Sequence, residues 1–471
     1  MFVILVIVFQ VLGVLSAVHA VMSVRTPQGS IAWAVSLVTF PYVSVPAYWV
    51  FGRNKFQGYV LARQQDLESL SEVIRQANSH LANAAVETGD NRGGIRAAEM
   101  LARSPLTDGN MAELLVDGAA TFDSIFQGID AAEDYVLVQF YIVRDDELGR
   151  ALQDRLLAAA ARGVRVLFLY DEIGSIGLSA AYRQRFLAAG IDVRPFHSRK
   201  GFGNRFQLNF RNHRKTVVVD GKVAWLGGHN VGDEYMGGDP RFGNWRDTHV
   251  RLEGPAAIGA QLAFVEDWRW ASDAVPGGLT WVPTRADQSD MRALVLPTGP
   301  VDEMETASLV FTGAINTARQ RVWIASPYFV PDDAIVQALQ LAGLRGVDVR
   351  ILIPEKTDNM LVTLAAYAFF EQVKAAGVKL YRYQDGFLHQ KVVLVDDALA
   401  TVGTANFDNR SFRLNFEITA AIVDAEFATE VADMLAADFA NSRLMERDEY
   451  EQKPLWFKLA VRSAHLAAPI L

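Results

Sequence analysis

The chain has 471 residues, 51% of them hydrophobic, a length that suits two or three compact units better than one. It contains no cysteine, which excludes a disulfide framework, a thiol nucleophile and a cysteine-ligated zinc site. A formal net charge of -9 argues against a generic nucleic-acid binder, whose balance is more often basic.

In chain order, Met1 to Val24 carries no charged side chain, and Phe2 to Met22 is long enough to cross a hydrocarbon core that needs about 20 residues. Val18-His19-Ala20 resembles a signal cleavage site, but a secretory signal wants Lys or Arg ahead of its apolar run and none is present. A second uncharged run of 27 residues lies between Arg25 and Arg53. It predicts a second span at about 31–51, kinked at Pro41 and Pro46, with aromatic residues near its ends at the lipid interface. Residues 1–52 then form a two-helix transmembrane hairpin. Arg53, Lys55 and Arg63 after the second span, against Arg25 in the loop, place the large domain on the cytoplasmic side of a multi-pass inner-membrane protein. Residues 53–110 are polar and helical, a linker region broken at Asn91-Arg92-Gly93-Gly94.

From about Leu114 the chain repeats itself. Strand Tyr135 to Ile142, a helix ending at Gly163 and strand Val164 to Leu169 have counterparts in Val322 to Phe329, a helix ending at Gly346 and Val347 to Leu352. Two repeats follow, 111–285 and 286–450. Strands alternating with helices of this length predict an α/β fold with a parallel sheet covered on both faces. Residues 451–471 place Lys458, Arg462 and His465 at helical spacing among Leu455, Trp456, Phe457, Leu459 and Val461. This suits an interfacial helix on the membrane or a terminal helix docked on the soluble domain.

Each repeat carries one copy of H-x-K-x(4)-D: His213, Lys215 and Asp220, then His389, Lys391 and Asp396. After each Asp come six residues and then a glycine-led tetrapeptide ending in Asn, Gly227 to Asn230 and Gly403 to Asn406. The run from each Lys reads as a buried strand, so His and Lys, two apart, share a face. Asp220 and Asp396 complete the motif on the following turn, where a turn or salt-bridge role is the preferred reading. A Lys and an Asn amide beside an imidazole make an anion site with a potential nucleophile in it. One imidazole cannot be unprotonated nucleophile and protonated acid at once, whereas two facing copies can divide the work. Two Lys and two Asn would hold the transition-state oxygens, so neither a divalent metal nor another cofactor is called for. Asp247 and Glu417 lie 34 and 28 residues beyond His213 and His389 and are the candidates to orient them. His229 and His249 have no counterparts in the second repeat and read as structural. Arg194, Arg199, Lys200, Arg205, Arg211, Arg214 and Lys215, interleaved with Phe196, Phe202, Phe206 and Phe210, form a basic and aromatic stretch suited to anionic lipid headgroups or to a solvated loop.

The duplicated motif resembles that of the phospholipase D superfamily. The wider pattern is similar to its bacterial cardiolipin synthases: Arg25 to Ser30, Asn212 to Lys215, and Gly386 through Asn406-Phe407-Asp408-Asn409-Arg410-Ser411-Phe412 to Asn415-Phe416-Glu417. The resemblance implies a pseudo-twofold pair of phospholipase D-like repeats around one active site. It also implies transfer of a phosphatidyl group between two phosphatidylglycerols, giving cardiolipin and glycerol through a phosphohistidine. By the same resemblance His213 is the nucleophile and His389 the acid, with Asp247 and Glu417 behind them, although the two roles could be exchanged. One departure is Gly228-His229 before Asn230, where the second copy has Thr404-Ala405. Another phospholipase D-type transferase or hydrolase with a different donor or acceptor is the alternative; a nuclease or a non-catalytic scaffold fits the membrane spans and intact motifs less well.

Overall fold

A computed structural model of the chain describes residues 2–24, 26–52, 67–86, 93–196, 210–287 and 289–471. The apolar amino-terminal run forms helix α1 (Phe2–Ser23), about 33 Å long at 1.5 Å per residue. It is the one helix among the described residues that is long and apolar enough to cross a membrane. The second run is not one continuous helix. It divides into α2 (Pro27–Thr39) and α3 (Pro41–Phe51), because Phe40, at φ -132° and ψ 57°, stands before a proline that disfavours helical backbone at the preceding residue. Both pieces lie against α1, burying Ala17, Ala20, Leu37, Val45 and Tyr48, and Trp49 Nε1 donates to Ser16 Oγ at 3.1 Å. Arg25, Arg53, Lys55 and Arg63, which carry the topology reading, lie outside the described residues. Helices Leu67–Leu81 and Gly93–Ala102 pack on the body of the protein: Leu70, Ala77 and Leu81 join its main core, and Ile95 and Ala98 cover Leu294 and Leu296.

The first repeat contributes β1 (Thr107–Val116), β2 (Tyr135–Phe140), β3 (Arg165–Asp171), β4 (Asp192–Phe196), β5 (Arg211–Asn212), β6 (Thr216–Val219), β7 (Val223–Gly227), β8 (Trp245–Arg246) and β9 (Thr248–Glu253). The second contributes β10 (Met291–Thr298), β11 (Arg321–Ala325), β12 (Phe329–Val330), β13 (Asp348–Pro354), β14 (Lys379–Tyr383), β15 (Phe387–Leu388), β16 (Val392–Val395), β17 (Leu399–Gly403), β18 (Phe407–Asp408), β19 (Asn415–Val423) and β20 (Ser442–Leu444). One large sheet runs β20-β14-β13-β11-β16-β17-β19-β10-β1-β9-β7-β6-β2-β3-β4. Outward from the central β1–β10 pair, each half repeats the same order of equivalent strands, with β20 added at one edge. That is the pseudo-twofold expected of the duplication.

The sheet is mixed and not wholly parallel. Along this order only β2, β3 and β4, and their equivalents β11, β13 and β14, pair in parallel; the motif strands β6 and β16 are antiparallel to their neighbours. The physical reason is the tight turn at Asp220-Gly221-Lys222, and at Asp396-Asp397 in the second copy, which returns the chain at once into β7 or β17 as hairpins. Helix Ala256–Ser272 and its counterpart Ala425–Ala440 lie in one core with strand residues of both repeats. The two units share that core and do not meet as separate domains.

Candidate active site

The backbone brings each histidine to the other repeat. β5 pairs in parallel with the start of β19, and the His213 N–H donates to the Phe416 carbonyl at 2.9 Å. β8 pairs in parallel with β15, and the His389 N–H donates to the Arg246 carbonyl at 2.8 Å. The residue after Phe416 is Glu417, and its carboxylate meets His213 Nδ1 at 2.9 and 3.0 Å. The residue after Arg246 is Asp247, whose Oδ2 meets His389 Nδ1 at 2.7 Å. The carboxylates foreseen as orienting groups therefore reach the histidines, but crosswise: Glu417 serves His213, and Asp247 serves His389. Sequence distance pointed to the partner within each repeat; the exchanged two-residue strands overrule it. With Nδ1 held as donor to a carboxylate, Nε2 of each ring is left as the basic nitrogen.

The lysines complete the cluster. Residues 213–215 precede β6 and are irregular, as are 389–391 before β16. Lys215 is fully buried, donates from Nζ to its own His213 carbonyl at 2.6 Å, and lies 5.4 Å from the centre of the Tyr141 ring. Lys391 Nζ donates to the His389 carbonyl and stands 2.7 Å from His389 Nδ1. Burial is the main force on every group. It pushes His213 down to about 4 and His389 to about 3, the charge of Lys391 acting on both, and it lowers Lys391 to about 8. Lys215 falls well below its ordinary value for the same reason. Burial alone would raise Asp247, but Lys391 and His389 hold it below the usual carboxylate range; His213 and Lys215 do the same for Glu417. At neutral pH both imidazoles are neutral and both carboxylates ionised. Because Lys391 acts on Lys215 and His213, and Lys215 acts on His389, the two motifs form one electrostatic unit.

The remaining motif residues divide. Asn406 lies buried with its Oδ1 unpaired among the described residues. Asn230 is tied down, accepting from the Ile142 N–H at 3.0 Å and donating to Tyr235 Oη at 3.2 Å. Asp220 and Asp396 are turned away from the histidines, about 16 Å along the strand from their lysines at 3.3 Å per residue. Asp220 accepts from the N–H groups of Glu133, Asp134 and Tyr135, and Asp396 from those of Arg319, Gln320 and Arg321. Each has positive φ, 52° and 53°, so each makes the turn and ties it to the strand beginning β2 or β11. His229 and His249 are buried against each other, Nδ1 to Nδ1 3.2 Å, behind Asp247 and not in the catalytic cluster. In the basic stretch, residues 197–209 lie outside the described residues, while Arg214 is drawn inward to Asp267.

Several supporting side chains were not legible from the motifs. Glu417 also accepts from Thr404 Oγ1 at 2.6 Å and from Asn415 Nδ2 at 3.1 Å. The first repeat has Gly228 where the second has Thr404, and a Cβ there would fall 1.8 Å from Asp247 Oδ1. The departure noted in the sequence thus makes the half-sites unequal: a hydroxyl backs one carboxylate, and bare backbone makes room for the other. Behind the histidines, Asp267 accepts from Asn212, Arg214 and Gln139, while Asp438 accepts from Gln390 and pairs with Arg246. The residue between His and Lys in each motif is the signal that could have found these helix carboxylates. Tyr141 packs on the His213 ring at 5.0 Å, and Trp245 on His389 at 5.1 Å.

Comparison with known proteins shows the family. A family model described as cardiolipin synthase, PLD-like domain, matches residues 125–239 and 311–439, the two repeats. Cardiolipin synthase A of Pseudomonas putida (strain W619) is 47% identical over 464 residues, covering 98% of this chain and 96% of that one. The chain belongs to the cardiolipin synthase family. The like-named protein of Pseudomonas aeruginosa (strain LESB58) is 48% identical over 466 residues, covering 98% and 94% of the two chains. As a cardiolipin synthase family member the protein is a phosphatidyltransferase, an enzyme associated with the membrane. A second family model, phospholipase D-nuclease N-terminal, matches residues 11–53, most of α1 together with α2 and α3. The phosphatidylserine synthase of Haemophilus influenzae Rd KW20 has the same fold, with a TM-score of 0.60 at 14% identity over 80% of this chain and 99% of that one.

Proposed function

We propose that the protein transfers a phosphatidyl group from one phosphatidylglycerol to the free glycerol hydroxyl of a second, yielding cardiolipin and glycerol. The observation that carries this reading is the crossed arrangement of two neutral imidazoles, each backed by an ionised carboxylate, around two buried lysines. One imidazole attacks phosphorus through Nε2, forming a P–N bond as the bond to the donor's glycerol oxygen breaks. The other, having taken up a proton at Nε2 as the anionic phosphodiester enters the site, gives that oxygen its proton and is left neutral. The second phosphatidylglycerol hydroxyl then yields its proton to the same acid–base imidazole as its oxygen bonds to phosphorus and the P–N bond breaks. His213 is assigned the attack and His389 the proton transfers, in keeping with the resemblance to the wider superfamily. Lys215, Lys391 and Asn406 face the equatorial oxygens, Asn230 fixes the loop opposite, and Asp220 and Asp396 hold the strand turns.

Helix α1 and its broken partner embed the protein in the inner membrane, with the catalytic body on the cytoplasmic side. The reading is tested with purified full chain in phosphatidylglycerol vesicles without added metal, the products identified by mass. Cardiolipin and free glycerol are expected. Phosphatidic acid as the only product would remove the synthase reading, and unchanged turnover in His213→Ala would remove the mechanism. Protease added outside sealed cells should leave the catalytic body intact; its digestion would reverse the topology.

A further inference from the structure

Residues 455–465 form a helix that docks by one face and leaves a second apolar face outside. Val461 and Ala464 are buried, Phe457 packs on Tyr367 at 5.2 Å, and His465 packs on Phe369 at 5.1 Å. At 100° per residue, Leu455, Leu459 and Leu466 project within about 45° of the direction opposite that docked face. They are 83%, 66% and 83% exposed, and Trp456 on one flank is 68% exposed. A helix resting on a soluble protein shows a polar face to water; this one shows three leucines and a tryptophan.

Its surroundings indicate what covers it. Lys458 and Arg462 border the leucines on the flank away from Trp456, and Lys453 precedes the helix. No acidic residue follows Glu451 in a chain whose net charge is -9. Leucines rimmed by basic residues and a tryptophan are the composition of a helix lying in an anionic lipid interface. The helix also adjoins the active site: Leu471, just beyond it, accepts from the Arg410 N–H at 2.8 Å, and Arg410 belongs to the short helix that follows Asn406. At the start of the helix it packs against, Met360 and Leu361 are exposed as well.

We infer that the helix Leu455–His465 is a second membrane contact of this protein, seating Leu455, Trp456, Leu459 and Leu466 in an anionic lipid surface beside the active site. This contact does not depend on which lipid is donor or acceptor. It makes the catalytic body a bilayer-resting unit and not one merely tethered by α1.

The absence of cysteine allows a direct test on the full chain. Leu459→Cys carries one environment-sensitive fluorophore; Asp154→Cys, on an exposed helix of the first repeat, carries the same label as reference. Each is reconstituted into vesicles of phosphatidylglycerol and phosphatidylcholine whose acyl chains are brominated. Emission at 459 is expected to be quenched about twofold or more by the brominated chains, with the reference unaffected. In parallel, the ratio of turnover on vesicles to turnover on detergent-dispersed lipid should fall about tenfold in the Trp456→Ser, Leu459→Ser double variant. A label at 459 that answers aqueous iodide as the reference does would overturn the inference. So would a label shielded from iodide but not quenched by the brominated chains, since that places a second protein surface over the leucines.

Discussion

Replacing Glu417 by glutamine isolates the crossed pairing. The carboxylate accepts from His213, Thr404 and Asn415 with its two oxygens. A glutamine has the same shape but one acceptor oxygen and a donor amide, so it cannot satisfy all three. His213 then loses the contact that fixes its Nδ1–H tautomer, and Nε2 is no longer held as the basic nitrogen. A hydrogen bond to a charged group contributes about 1.5–3 kcal/mol, so kcat/KM in the vesicle assay should fall about 10- to 150-fold. The site of the damage is read by acylating the histidines with diethyl pyrocarbonate and mapping the adducts by mass. Glu417→Gln should change the labelling of His213 and leave His389 as in the wild type, although Glu417 and His389 share a repeat. Asp247→Asn should do the reverse. If Glu417→Gln altered His389 labelling instead, or left kcat/KM within about twofold of wild type, the exchanged geometry would be wrong.

Gly228→Ala should abolish most activity while the far-ultraviolet dichroism stays native, because a methyl group 1.8 Å from Asp247 Oδ1 forces that carboxylate off His389. Asp220→Asn should behave in the opposite way, lowering stability in urea titrations by about 1–3 kcal/mol through weakened bonds to three backbone N–H groups, with little change in kcat. Stability should also fall with acid. The unfolded chain protonates these imidazoles below about 6.5, whereas folded His213 and His389 resist protonation until about 4 and 3. The stabilisation is therefore fully present above 6.5 and drains away as pH drops through that window. Denaturant midpoints measured from pH 7 to pH 4 check the slope, which should flatten in a His213→Ala, His389→Ala double variant.

Much of the site could be read from spacing because its residues recur. The duplicated His, Lys and Asn positions, the turn role of Asp220 and Asp396, and the choice of Asp247 and Glu417 all rested on comparing two copies in one chain. What spacing could not reveal was the partner of each carboxylate. β5, β8 and β15 are only two residues long and carry no periodicity, and their register is set by packing in the assembled sheet. The antiparallel course of β6 and β16 was hidden for a related reason: a run of valines reads alike in a parallel or an antiparallel sheet. The proline at 41 did announce a kink, but the sequence could not say that the second apolar run would separate into two helices at Phe40. Asp267 and Asp438 were missed because their helices lie far along the chain from the motif residues they anchor.

The exchange of carboxylates between repeats also bears on the protein's birth on the ribosome. The first repeat, with His213, Lys215 and its whole strand set, emerges well before Glu417 has been synthesised. Until then His213 has no carboxylate to orient it, and Asp247 has no histidine to serve. A nascent chain therefore holds neither crossed pair until β19 lies beside β5 and β15 beside β8.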